Sequence, residues 1–255
     1  MSDVAICVRR WDWSETSQTV SLFARGAGLI RGIAKGAKRE RAPFSGGVEL
    51  MTKGGLVAIV RGHGKLATIT EWDLIDPYPA VRRSLEAFYV GSAMLDLIHA
   101  GVTDEDPHQK LFDVLDRSLG ALGDGNGDEP ATLLRFQWAL LGEIGLRPEL
   151  SRDVSSGGDL EPARIFGFSP RLGGLTVDPG SEPGNGTVWR VRSETVELLR
   201  GLERDQPLSG GRAVLRANQL LGAYAREVLE REVHAMRFLF GPKGLWSPES
   251  GPGVK

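Results

Sequence analysis

The chain has 255 residues, 41% hydrophobic and 25% charged, with 31 Lys and Arg against 33 Asp and Glu and a net charge of −2. That is enough to bury a sizeable core in one large or two modest domains. A single cysteine, Cys7, excludes an intramolecular disulfide and a zinc site built from several cysteines. No apolar run approaches the ~18 residues a bilayer span needs, and the N-terminus lacks a signal-peptide pattern, so a reduced, cytoplasmic protein is expected.

Residues 1–78 read as short strands separated by glycine turns. Val4–Arg10 alternates loosely, Thr19–Arg25 is β-rich, and Ala27-Gly28 turns the chain into Leu29–Ala34. Val48–Met51 and Leu56–Val60 flank Lys53-Gly54-Gly55, and Gly62-His63-Gly64 turns into Leu66–Thr70. About five short strands at this spacing predict a small barrel or sandwich. The pattern changes at Pro77-Tyr78-Pro79, and from Val81 apolar residues recur every three or four positions. Asp106-Pro107 reads as a helix start for Leu111–Leu122, and Pro130 opens a helix, apolar nearly all round, that closes at Gly145. Residues 151–190 are irregular and too long for a structureless loop, which predicts a small excursion. Helix returns at Val191–Leu202, and a last helix is expected over Arg212–Phe238. The Pro/Gly/Ser tail, 241–255, is expected to be flexible. The expected class is α+β: a β-domain over 1–78, then a helical domain over 79–240.

Charge is concentrated in one place. Arg25, Arg31, Lys35, Lys38, Arg39 and Arg41 face one acid, Glu40, a local net of 6 − 1 = +5 on a nearly neutral chain. By domain, residues 1–80 carry 11 − 8 = +3 and the remainder 20 − 25 = −5. Concentrated cations in a glycine-punctuated β-domain point to a polyanion more strongly than a uniform bias does. Against this stands the plain reading of a charge run as a solvated face. Trp11, Trp13, Phe23, Phe44 and Trp72 are candidates for stacking on bases. Phe44, between Pro43 and Ser45, is the one expected to be exposed, and Phe23 reads as core.

No catalytic constellation emerges. His63, His99, His108 and His234 lack ligand spacing, Ser14 and Glu15 have no histidine nearby in sequence, and there is no Walker A pattern. The function read from these residues is binding, not catalysis.

Four motifs in order resemble the RecO recombination mediators of bacterial DNA repair. They are Trp13-Ser-Glu-Thr-Ser17 with Val20-Ser-Leu-Phe23, Gly28–Arg39 with Phe44-Ser-Gly-Gly47, Phe168-Ser-Pro-Arg-Leu-Gly-Gly174, and Leu220–Tyr224 through Met236–Leu239. The resemblance implies an N-terminal OB-fold and a C-terminal helical domain. It also implies binding of single- and double-stranded DNA, annealing of complementary strands and, with RecR, loading of RecA onto strands coated by SSB. Arg25, Arg31, Lys35, Lys38, Arg39, Arg41 and Phe44 become the expected DNA contacts. Arg216, Arg226 and Arg231 become candidate rim residues of a groove for the acidic, apolar C-terminal tail of SSB. Many members carry a four-cysteine zinc site around the Phe-Ser-Pro motif. Here those places read Asp153-Val-Ser-Ser156-Gly157 and Thr176-Val-Asp-Pro179, so no zinc and no other cofactor is expected. The rival reading is an interaction scaffold whose helical domain docks partners while the basic loop is only solvated.

Overall fold

The computed structural model describes residues 1–44, 46–62, 64–123, 128–180, 188–204, 206–208 and 211–247. Five strands, β1 (Ser2–Asp12), β2 (Gln18–Ala24), β3 (Gly28–Ala34), β4 (Lys53–Ile59) and β5 (Ala67–Asp76), close a barrel in the order β1-β2-β3-β5-β4. β3 and β5 run parallel, the other pairs antiparallel, and β4 returns to β1. This is a closed five-stranded barrel of the OB-fold kind.

Alternation along β2 and β3 explains why both faces are apolar. Val20, Leu22, Ala24, Ile30 and Ala34 fill the barrel with Cys7, Leu56, Ile69 and Trp72. Phe23 and Leu29 point the other way, into a core shared with the helices, where the Phe23 ring lies 5.8 Å from that of Phe112. Burial pushes the Cys7 thiol up to about 12, so it is an inert hydrophobe.

The expected strand at Val48–Met51 is a turn, and Lys53-Gly54-Gly55, expected to link strands, begins β4. Gly54 serves close approach here: a Cβ would lie 2.5 Å from the Trp72 ring. The long connection from β3 to β4 closes the barrel. Gln18 holds it from inside, accepting from Val48 N at 3.0 Å, and Ala37, Phe44 and Val48 plug the end.

A 3-10 turn (Pro79–Arg83) leads to α1 (Leu85–Gly101), capped by Ser84, then α2 (Gln109–Ala121) and α3 (Glu129–Glu143). Asp128 caps α3 and Gly145 ends it in a left-handed conformation. Asp106-Pro107 is not the start of α2, whose cap is His108 without a side-chain bond. The irregular segment forms a three-stranded sheet of β6 (Ile165–Ser169), β7 (Gly174–Thr176) and β8 (Trp189–Arg192), in the order β7-β6-β8. Then come α4 (Ser193–Glu203), α5 (Gly211–Leu229) and α6 (Met236–Phe240).

The single last helix is thus two. Glu230 is left-handed at φ 51°, and the buried Asp96 carboxylate accepts from Ala235 N at 2.9 Å, drawing the chain back across α1. Residues 241–247, expected as loose tail, fold onto α6. Trp246 packs on Phe240 and its indole donates to Glu86. Residues 248–255 lie outside the described residues.

Candidate nucleic-acid interface

The turn between β1 and β2 is held by Trp13 N and Ser14 N, both donating to Ser17 O. Ser17 Oγ accepts from Gly36 N at 3.1 Å, and Lys38 N donates to Thr16 O at 3.1 Å. These bonds bring the start of the basic stretch against the Trp13 turn. Together they line a shallow depression of about 380 Å3 formed by Trp13, Ser14, Ile33, Lys35, Gly36 and Arg39. Trp13 is 68% exposed.

Arg31, Ile33 and Lys35 alternate along β3 and its end, so they share its outer face. Below Ile33 lies a second depression of about 180 Å3, where Arg31 meets Lys65 of the β4–β5 connection. A cationic face therefore runs from Lys65 past Arg31 to Lys35, Arg39 and Trp13.

The six expected cations do not converge. Arg25 makes a two-toothed pair with Asp113 of α2, at 2.8 and 2.9 Å. Arg31 Nε is 3.1 Å from Asp104, and Lys38 Nζ is 2.7 Å from Asp12. Lys38 holds the Asp12 carboxyl below its usual range, and Arg25 does the same to Asp113. Lys35, Arg39 and Arg41 are exposed and carry no ion pair among the described residues.

Phe44 is a correction: at 2% exposure it belongs to the barrel core and is shut off from any base. Trp72 and Phe23 are buried as well, which leaves Trp13 as the aromatic at the cationic face. Trp11 is half exposed but leans on the His99 ring at the helical domain. Sequence reasoning missed Arg61 and Lys65, although Arg61-Gly-His-Gly-Lys65 carried the signal of a glycine turn flanked by cations.

Among the described residues, two grooves of the helical domain are lined by arginines. One, of about 430 Å3 between α5 and α6, is lined by Arg226, Val233, Met236, Arg237 and Phe240. Of the expected rim residues only Arg226 lies there; Arg216 pairs with Glu194 at 3.3 Å, and Arg231 is exposed beyond the end of α5. The other, of about 630 Å3, has an apolar floor of Val114, Trp138 and Leu202 and three guanidiniums, Arg117, Arg135 and Arg147. Arg147 is pre-set: its Cζ sits 5.0 Å from the Trp138 ring centre, and a Cβ on Gly142 would strike its Nη2. These arginines were not singled out in the sequence because they are scattered over three elements of an acidic domain.

The two places where a zinc site is expected in relatives do meet. Asp153 accepts from Ser155 Oγ at 2.6 Å, Ser155 N at 2.9 Å and Ser156 Oγ at 3.0 Å, and Ser155 Oγ reaches Thr176 Oγ1 at 3.1 Å. Ser155 above all holds the Asp153 carboxyl far below the usual carboxylate range. One carboxylate surrounded by hydroxyl donors does not fit zinc, which takes a set of thiolate, imidazole or carboxylate ligands. Asp178 is instead bound by Arg190, at 2.9 and 2.8 Å. EDTA is expected to leave the melting temperature unchanged, whereas Asp153→Ala lowers it by on the order of 5 °C. Because the folded carboxyl is depressed, its contribution is fully present above the ordinary carboxylate range, begins to be lost as pH falls into that range, and goes on being lost below it until the folded carboxyl itself is protonated. Thermal melts from pH 7 to pH 3, with Asp153→Asn showing the shallower decline, check the sign.

Two family models cover most of the chain: Recombination protein O N terminal matches residues 1–78, and Recombination protein O C terminal matches residues 82–237. The chain belongs to the RecO family of DNA repair proteins. A DNA repair protein RecO of Rhodopirellula baltica is 31% identical over 205 residues, 80% of this chain and 76% of its own length. That of an Anaeromyxobacter strain is 28% identical, covering 92% of this chain and 93% of its own. That of Idiomarina loihiensis is 30% identical over 80% of this chain and 90% of its own. The barrel with its cationic face is the N-terminal RecO unit, and both grooves lie in the C-terminal one. Among the described residues no helix is long and apolar enough to cross a membrane.

Proposed function

We propose that this chain is a non-enzymatic, cytoplasmic recombination mediator that binds single- and double-stranded DNA on its barrel and anneals complementary strands. In this reading it acts with RecR to load RecA onto strands coated by SSB. The observation that carries it is the exposed Trp13 beside Lys35 and Arg39 on the cationic face of an OB-fold. Unpaired cations take phosphates and release counterions, and an exposed indole offers a stacking platform that tolerates any base. The family membership and the four ordered motifs support the partner assignments. A strand-annealing assay tests the reading: wild-type protein accelerates annealing of complementary oligonucleotides, and no acceleration at low salt contradicts it.

In this account the acidic, apolar tail of SSB docks in the helical domain, in the groove of Arg117, Arg135 and Arg147. Three guanidiniums around an apolar floor suit a peptide bearing both carboxylates and apolar side chains, and one of the three is already held in place. Arg135→Ala with Arg147→Ala is expected to weaken a labelled tail peptide by tenfold or more, at roughly 1.5–3 kcal/mol per charged hydrogen bond. Arg226→Ala is expected to change it little. The reverse ranking in a fluorescence-anisotropy titration assigns the tail to the α5–α6 groove.

A further inference from the structure

The connection between α1 and α2 carries three consecutive acids, Asp104, Glu105 and Asp106, and it lies against the start of β3 at the lower end of the cationic face. Three features fix it there. Asp104 forms a parallel bridge with Leu29, and Glu105 N donates to Leu29 O at 3.1 Å. Gly28, left-handed at φ 73°, leaves room for the Asp106 backbone, which a Cβ would meet at 2.2 Å. Glu105 is itself held at φ 60°, a region costly for a residue with a side chain. The outcome is a carboxylate aimed at a cation of the binding face: Asp104 Oδ1 is 3.1 Å from Arg31 Nε, beside the depression that also contains Lys65.

We propose that this acidic connection is a built-in competitor for the DNA backbone, with Asp104 standing on Arg31 where a phosphate would stand. The inference rests on the reading of the barrel face as the DNA surface. It divides that face in two. The Trp13, Lys35 and Arg39 end is open, and DNA engages it first. The Arg31 and Lys65 end is reached only when Asp104 yields its partner. The pair is partly exposed, at 42% and 39% for the two side chains, so its displacement is a modest toll and not a block. A helical domain that neutralises part of the barrel this way trades affinity for strands that are released readily.

The test is Asp104→Asn, which keeps the shape and removes the charge. Fluorescence anisotropy of a labelled single-stranded oligonucleotide, across a salt series, is compared for wild type, Asp104→Asn, Arg31→Ala and the double variant. Asp104→Asn is expected to bind roughly threefold to fivefold tighter at low salt. Its log–log salt slope is expected to steepen by about 0.7, one more phosphate contact on a single strand. The gain vanishes in Arg31→Ala/Asp104→Asn, because the two residues act as a pair. Glu227→Gln, an equal charge change on exposed α5, is expected to leave binding as in wild type. Wild-type binding with an affinity for Asp104→Asn that is equal or weaker overturns this inference alone, as does a gain that persists without Arg31. No binding by wild type overturns the barrel-face reading and the inference with it.

Discussion

Replacing Lys35 and Arg39 together by Ala is expected to weaken single-stranded DNA binding by on the order of tenfold and to reduce the log–log salt slope by about 1.4, at about 0.7 per phosphate contact. These two are chosen because they line the Trp13 depression and have no acid partner among the described residues. Lys38, one residue before Arg39, is held by Asp12 at 2.7 Å, so Lys38→Ala alone is expected to do less. Trp13→Ala gives a different signature. Loss of one stacked base costs about 1–3 kcal/mol, so affinity falls by roughly 5- to 150-fold, but no counterion is involved and the slope stays as in wild type. The two variants therefore separate the electrostatic and stacking parts of one site. A Trp13→Ala protein that binds like wild type would place the strand elsewhere on the barrel.

Phe44→Ala is expected to destabilise the protein by about 3–5 kcal/mol, the usual loss for emptying a buried aromatic position. At roughly 2–4 °C per kcal/mol for a domain of this size, the melting temperature falls by on the order of 10 °C. The reason is position: Phe44 is 2% exposed and plugs the barrel end next to Ala37 and Val48. The preceding residue adds to this, since the Pro43 carbonyl accepts from Trp72 N at 2.9 Å and pins the loop to β5. Phe44→Leu keeps most of the volume and is expected to melt within a few degrees of wild type while binding DNA with unchanged affinity. A large loss of affinity in a stably folded Phe44→Leu protein would contradict the core assignment.

The misplacement of Phe44 shows what the sequence carries and what it does not. Its neighbours Pro43, Ser45, Gly46 and Gly47 are loop residues, and loops are usually on the surface. Nothing local reports that this loop closes an open barrel end. The barrel itself was legible, because alternation and glycine turns are short-range signals, and so was α3, whose Asp128 cap and Gly145 stop are written beside it. The cationic stretch was legible as charge but not as a site. Whether an arginine is free depends on acids far along the chain: Arg25 meets Asp113 across 88 residues. The break between α5 and α6 was hidden for the same reason, since the bond that turns the chain, Ala235 to Asp96, spans 139 residues. Trp13 and Trp11, two apart on one extended segment, were equivalent in sequence. Only the docking of α1 on β1 separates them, with His99 against Trp11 and open solvent over Trp13.

The central claim is that the barrel's cationic face binds nucleic acid, and the salt dependence of binding by the wild-type protein tests it most directly. A labelled single-stranded oligonucleotide titrated by fluorescence anisotropy between 50 and 200 mM salt, values set by the range over which phosphate contacts respond, is expected to show affinity falling linearly on a log–log plot. Lys35, Arg39 and Arg41, the exposed cations of the basic stretch that carry no ion pair among the described residues, give about three contacts and a slope of about −2.1 at about 0.7 each. A slope near zero, or no binding at the lowest salt, would contradict the account and leave the arginine-lined grooves of the helical domain as the working surfaces.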